Sequence, residues 1–320
     1  MKRENLITIV QIMVVPTLYA VALRLFFGGN TWGNLFSVMS MSFLFCVPTI
    51  MGLLTVYLSD IENVRHFSYR FFVPWIPVVI LLIITIAFTI EGWACWLMIL
   101  PLFLIAASVG GLIGGQLKMR KHDSKLYISF LALLPLLVAP LEVVAGSISG
   151  TYEAYTFIDI KAPAEKIWGN VTRVRGISAA QDKGWLTRVL GFPRPVKAEL
   201  NYNGVGAYRK AIFTNGLVFH ETVSEYADKQ KMVFSIKAYP YEIPSTTMDE
   251  HVVIGGQYFD VLNGTYELER LNSTTNRLHL YSHFKLKTTF NFYASWWARW
   301  IMQDIQNNIL QVEKYRSENE

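Results

Sequence analysis

The feature that most constrains this chain is a set of five apolar runs packed into its first 145 residues. They cover 6–27, 35–58, 71–90, 93–115 and 126–145. A run of about 20 apolar residues is long enough to cross a bilayer as a helix. Prolines at 16, 48, 74, 77, 101, 135 and 140 can kink such helices, and prolines are common in membrane spans. From Thr151 onward the sequence is written for water. The whole chain is 52% hydrophobic and 17% charged, which suits neither a soluble domain nor a pure membrane bundle. Residues 1–150 hold nine Lys/Arg and six Asp/Glu, leaving twenty and eighteen for 151–320. The reading is an all-α transmembrane domain over 1–148 followed by a water-soluble domain over 151–320.

The loops carry a topology signal. Lys2 and Arg3 precede the first run, Arg65 and Arg70 separate the second from the third, and Lys118, Arg120, Lys121 and Lys125 separate the fourth from the fifth. The loops at 28–34 and 91–92 have no Lys or Arg. This alternation fits five spans with a cytoplasmic N-terminus and the second domain outside. The third and fourth runs meet at Glu91-Gly92, as a tight hairpin or a single broken helix. With four spans the second domain would be cytoplasmic. Arg24, Glu91 and Glu142 fall near the predicted outer ends, where pairing or snorkelling explains a charge, and Arg24 and Glu142 are candidate membrane-interface residues. The first run is too long, and lacks the end, of a removable signal peptide.

Residues 151–168, TYEAYTFIDIKAPAEKIW, read as a strand running into a helix, with Pro163 in the first turn and Glu165 at its positive end. A second helix is expected over 179–190, ended by GFPRP at 191–195. Strands follow at 204–214 and 217–226 around Asn215-Gly216, a strong hairpin signal. Further strands are expected at 231–239, 252–262, 265–271 and 277–288, with Asn263-Gly264 as a second tight turn. A loop containing proline occupies 239–250. A long helix closes the chain over 294–316, with Trp297, Ile301, Ile305, Ile309 and Val312 as one apolar stripe and Arg299, Gln303, Gln306 and Glu313 off it.

Strand, two short helices, antiparallel strands and a long helix make an α+β domain in which a curved sheet grips a helix. The segments IKAPAEKIW (160–168), GVGAYRKAIFTNGLVFHETV (204–223), FDVLNGTYELERL (259–271) and HLYSHFKLKTTFNFYASWW (279–297) carry a resemblance to the START-like, helix-grip superfamily, nearest its bacterial polyketide cyclase/dehydrase and lipid transport branch. The resemblance runs from about Tyr152 to the C-terminus and leaves the membrane half unmatched. It implies a cavity between sheet and helix for a hydrophobic small molecule; the short tether to the last apolar run favours a membrane lipid, and the loop charges set the domain on the periplasmic side of a bacterial cytoplasmic membrane. The fold serves binders and enzymes alike, so a cyclase or hydrolase, and a membrane sensor or assembly module, stay open as alternatives.

Glu221 is the leading site candidate. It shares a strand face with Leu217, Phe219 and Val223, and a carboxylate on an apolar face needs a partner. A two-residue Asn-Gly turn sets Lys210 opposite it, with Tyr208 on the same face as Lys210. A three-residue turn centred on Asn215 sets Arg209 opposite instead. Glu221 with Lys210 or Arg209 would hold a ligand's polar end, with Tyr208, Phe219, Trp297 and Ile301 lining the cavity. Glu221 and His220 are the weak catalytic candidates. A structural ion pair is the simpler reading of Glu221.

Trp296 and Trp300, four apart on the last helix, suit a membrane interface. His279 and His283 lie about 13 Å apart along a strand, too far to share a metal unaided. Cys46 and Cys95 sit in apolar runs without metal or redox spacing, and read as buried free thiols. Asn170, Asn263 and Asn272 each open an N-x-S/T triplet, which matters only in a eukaryotic secretory route. No metal or cofactor motif and no nucleic-acid motif is present; the expected partners are a membrane lipid or other apolar small molecule, with a protein partner open.

Overall fold

The computed structural model describes residues 3–29, 35–120, 125–242 and 253–320. Lys2, Lys121, most of the 28–34 loop, most of the 239–250 loop and the first residue of the strand expected at 252–262 lie outside them. The chain divides into two compact units, Met1–Ser147 and Ile148–Glu320.

The first unit is helical. Its elements are α1 (Arg3–Phe27), a π-helical turn (Ser42–Cys46) running into α2 (Val47–Leu58), α3 (Ile61–Val64), α4 (Phe67–Phe72), α5 (Trp75–Ala87), α6 (Trp93–Met119), α7 (Lys125–Ala132) and α8 (Leu134–Ala145). Among the described residues three stretches are long and apolar enough to cross a membrane: Ile9–Phe27, Phe67–Ala87 and Trp93–Met119. The other two apolar runs form shorter helices, Ser42–Leu58 and Leu134–Ala145. At 1.5 Å per residue the latter spans only about 18 Å. The fifth run, expected as a single helix, is split at Leu133 just before Pro135, which has no N–H to give the ladder.

Between the third and fourth runs the chain turns back on itself. Ile90 N and Glu91 N both donate to Thr85 O (2.8 and 3.2 Å), and Thr89 adopts φ 52°. Trp96 Nε1 donates to Thr85 Oγ1 (2.7 Å) and Trp75 Nε1 to Ser108 Oγ (2.8 Å), so α5 and α6 run antiparallel side by side. The α2–α6 contact is made through glycine. A Cβ at Gly52 would fall on the Ala107 carbonyl and one at Gly110 on the Thr49 carbonyl; at Gly114 it would lie 2.5 Å from Leu53 O. Backbones that approach this closely exclude any side chain, the small-xxx-small packing of membrane helices. Arg24 is buried against Glu91 and donates from Nη2 to Ile90 O (3.1 Å). Glu142 accepts from Met41 N (2.7 Å) and Ser42 N (3.0 Å), filling the donors at the start of the second helical run.

The second unit contains β1 (Ile148–Ile160), α9 (Ala164–Thr172), α10 (Leu186–Leu190), β2 (Pro195–Leu200), β3 (Tyr208–Phe213), β4 (Val218–Ala227), β5 (Lys231–Lys237), β6 (Phe259–Arg270), β7 (Asn276–Thr288) and α11 (Asn291–Asn319). The strands form one antiparallel sheet in the order β1-β7-β6-β5-β4-β3-β2. β1 leaves its sequence neighbours to pair with β7 over thirteen residues, and α11 packs on β1 and β7. This is a helix-grip arrangement.

Four expectations change. The helix expected over 179–190 is only Leu186–Leu190. Its N-terminal donors are taken by Asp304 of α11, whose Oδ2 accepts from Thr187 N (2.9 Å) and Thr187 Oγ1 (2.8 Å). A strand at Pro195–Leu200 was not anticipated; Pro195 is tolerated because it starts an edge strand. Asn263-Gly264 is not a turn but the middle of β6, opposite Ser235 and Phe234 of β5. A Cβ at Gly264 would lie 2.5 Å from the Phe234 ring, so the glycine makes room for an aromatic side chain. Gln306 and Glu313, read as lying off the buried stripe, are both buried, because the helix is covered by α9 and the α10 segment as well as by the sheet.

Candidate functional site in the helix-grip unit

The turn between β3 and β4 sets the site's register. It has three residues, Thr214–Gly216, with Asn215 and Gly216 in the left-handed region (φ 60° and 81°), and Phe213 N donates to Leu217 O (2.9 Å). Arg209 therefore stands opposite Glu221, and Lys210 opposite His220. Arg209 points inward with Glu221, while Tyr208, Lys210 and His220 take the outer face. There Tyr208 Oη and His220 Nδ1 are 2.7 Å apart.

Arg209 and Glu221 are 3% and 2% exposed and bonded through Nη1 and Oε2. Arg209 Nε also donates to Thr172 O at the end of α9 (3.3 Å). The guanidinium lies 5.2 Å from the Phe234 ring centre and 5.8 Å from that of Tyr266. Burial opposes the charge on Arg209, but Glu221 and Tyr266 outweigh it and hold the guanidinium as a firm cation. Burial pushes the Glu221 carboxyl up, against the pull of Arg209. It also raises Tyr266 to about 12.

The pair lies at the boundary of two apolar clusters. On one side are Ala207, Val223, Phe234, Tyr266, Leu280 and Leu310, among others. On the other are Ala211, Phe213, Leu217, Phe219, Ala238 and Val261, with Met302 and Ile305 of α11. Phe219 packs on Phe213 with ring centres 4.7 Å apart.

Into this layer α11 brings Glu313, fully buried at 0% exposure. Among the described residues neither of its carboxylate oxygens has a hydrogen-bond partner. Burial raises the carboxyl to about 7, even though Arg316, Arg209 and Arg175 lower it. Buried acceptors are nearly always paired, so two orphan oxygens on one side chain mark an unfilled polar position. Elsewhere on α11 the buried Trp297 Nε1 also has no partner among the described residues, whereas the buried amides and Arg316 are bonded. Gln306 Nε2 donates to Ala154 O (3.1 Å) and Ser282 Oγ (3.0 Å), and Asn308 Oδ1 accepts from Lys183 N (2.7 Å). Arg316 Nη1 donates to Arg175 O (2.9 Å).

Of the remaining candidates, Trp297 is buried and Ile301 half-buried on α11, whereas Trp296 is exposed and Trp300 half-buried. His279 faces Tyr155 Oη (2.9 Å) and Glu269 (3.1 Å), and His283 faces Asn263 (2.8 Å) and Glu153 (3.3 Å), so each histidine is engaged on the outer face. Among the described residues no group of three His, Cys, Asp or Glu could hold a metal. A groove of about 330 Å³ runs along β2, lined by Arg173, Arg175, Lys197 and Glu199 among others. Glu313 was missed as a site residue because its position, seven after Gln306 and three after Leu310, reads as a solvated face until the wrapping of the helix is known.

No family model matches the sequence, and no curated protein matches it. Similar solved structures do exist. They include the ZhuI aromatase/cyclase from Streptomyces sp. R1128, at 11% identity and TM-score 0.34, over 53% of this chain and 98% of that one. A START superfamily protein from Mycobacterium smegmatis is similar at 9% identity and TM-score 0.34, over 52% and 97%. Truncated norcoclaurine synthase from Thalictrum flavum is similar at 13% identity and TM-score 0.31, over 52% and 94%. The half of the chain similar to these START-like and cyclase structures is its C-terminal part.

Proposed function

We propose that this protein is anchored in a membrane by its N-terminal helices and that its helix-grip unit binds a hydrophobic small molecule, a membrane lipid, between sheet and helix. The observation that carries the reading is Glu313: two fully buried acceptor oxygens without partners among the described residues, three residues after Leu310 of the apolar core and close enough for Arg209 of the buried Arg209–Glu221 pair to act on its carboxyl. A ligand whose apolar body lies among residues such as Phe219 and whose donor-bearing end reaches Glu313 satisfies both halves of that environment. The alternating basic loops favour five membrane passages and a periplasmic position for the unit in a bacterial cytoplasmic membrane.

The test is titration of the delipidated full-length protein with a phosphatidylethanolamine labelled on its acyl chain. Saturable binding is expected, weakened about tenfold by Glu313→Gln, which turns one acceptor into a donor, and lost in Phe219→Arg. Unchanged binding in a folded Phe219→Arg variant would remove the interior site.

A second reading draws on the same residue. A carboxyl held near neutrality suits a general acid or base, so a cyclase- or hydrolase-type reaction on a hydrophobic substrate would use Glu313 before Glu221, whose charge is committed to Arg209, or His220, which faces outward. That reading requires Glu313→Gln to bind ligand and leave it unconverted.

A further inference from the structure

One surface of the helix-grip unit combines large exposed aromatics with cations. Trp185, at the start of α10, is 55% exposed; Phe292 and Trp296, in the first turns of α11, are 66% and 52% exposed. The indoles join into one cluster. Trp185 and Trp300 meet edge to face with centres 5.7 Å apart, and Trp296 and Trp300 lie 5.4 Å apart. The Thr187–Asp304 bonds tie α10 to α11 and so join the two parts of the ledge. Arg188 is three residues after Trp185 and Arg299 three after Trp296, the spacing of neighbours on a helical surface. Both are exposed, and each donates to a backbone carbonyl, of Asp182 (2.7 Å) and of Glu153 (3.1 Å), with no carboxylate paired to either among the described residues.

The position of this ledge follows from chain connectivity. Asn291, the first residue of α11, donates from Nδ2 to Ile148 O, the first residue of β1 (2.5 Å). From there α11 runs alongside β1, with Arg299 bonded to Glu153 O, Gln303 to Tyr155 O and Lys314 to Asp159 O. The first turns of α11 thus mark the end of the unit at which the chain enters. Ile148 is three residues after Ala145, the last residue of the apolar helix α8, a reach of about 10 Å at most. Trp300 lies only about 13 Å further along the helix axis than Asn291.

We infer that the Trp185–Phe292–Trp296–Trp300 ledge is the surface by which the unit sits in the interfacial layer of the bilayer, with Arg188 and Arg299 on anionic lipid headgroups. Indoles with an apolar body and a polar edge favour that layer, and flanking cations add attraction to negatively charged lipid. The inference rests on the proposed membrane anchoring and is independent of ligand binding.

The test uses the full chain in nanodiscs, with Cys46→Ala and Cys95→Ala, and a spin label at Trp296→Cys, at Trp185→Cys or, as control, at Lys229→Cys. Collision with oxygen, which concentrates in lipid, is compared with collision with a water-soluble nickel chelate. In discs containing phosphatidylglycerol, labels at 185 and 296 should favour oxygen several-fold over the label at 229. That preference should fall in zwitterionic discs and in Arg188→Glu/Arg299→Glu. Nickel accessibility at 185 and 296 equal to that at 229 overturns the inference, as does protection from both reagents, which would mean a protein partner on the ledge. The readout should be unchanged in Phe219→Arg, which separates this surface from the ligand site. Failure to enter nanodiscs at all would overturn the anchoring and the ledge together.

Discussion

The two units solve interior packing in opposite ways. In the helical unit the tightest contact, α2 against α6, is made by absent side chains: Gly52, Gly110 and Gly114 let backbone meet backbone. In the helix-grip unit the interior is filled with side chains, and α11 carries charge into it through Asp304, Glu313 and Arg316. If lipid is the solvent, as proposed for the helical unit, burying apolar surface gains little and close approach decides packing. Where the solvent is water, apolar burial supplies the stability, and polar groups can be held inside if each has a partner. Glu313, with both carboxylate oxygens buried and unpartnered among the described residues, departs furthest from that rule in the second unit.

The contrast can be broken at its strongest point first. Gly110→Leu places a side chain on the Thr49 carbonyl and should prevent assembly of the helical unit. Size-exclusion chromatography in detergent should show aggregate in place of a monodisperse peak. Arg209→Met leaves the Glu221 carboxylate buried without its cation and should cost about 3–5 kcal/mol in denaturant unfolding. The double variant Arg209→Met/Glu221→Leu should recover most of that loss, since an apolar pair of similar size needs no compensation.

Glu313 gives a pH signature of defined sign. Its carboxyl rises from 4.5 to about 7 on folding, so between those values the folded state holds a proton that the unfolded state has released. Stability should therefore fall as pH rises through this window and level off above about 7. Glu313→Gln should remove the slope and, above pH 7, raise stability by about 3 kcal/mol at 1.36 kcal/mol per pH unit. Thermal unfolding of the full chain across pH 4–8 checks both. The smallest effect is in the helical unit: Glu142→Ala removes the acceptor for Met41 N and Ser42 N and should cost about 1 kcal/mol.

Much of this architecture can be read from the residues, because burial imposes period. The alternation of Leu217, Phe219, Glu221 and Val223 marks the inner face of β4 before any partner is known. The strand–helix–sheet–helix order is equally legible. What stays hidden is decided by partners distant in sequence. Asn215-Gly216 suits a two- or a three-residue turn, and the observed choice is the one that sets Arg209 beside Thr172, Phe234 and Tyr266. Asn263-Gly264 has the composition of a turn and is spent on space for Phe234. Glu313 looks like a solvated position because amphipathic patterning presumes a helix covered on one side only. The glycines at 110, 111, 114 and 115 were a readable signal for close helix packing that apolar run length alone does not use.

The central claim is that the helix-grip interior holds a membrane-derived apolar ligand. Native mass spectrometry of the full-length protein released from its own membrane tests it most directly. The account predicts one tightly retained lipid-sized adduct on the wild type, absent from folded Phe219→Arg and depleted in Glu313→Gln. A wild-type protein with no adduct, or an adduct carried equally by all three proteins, would contradict it.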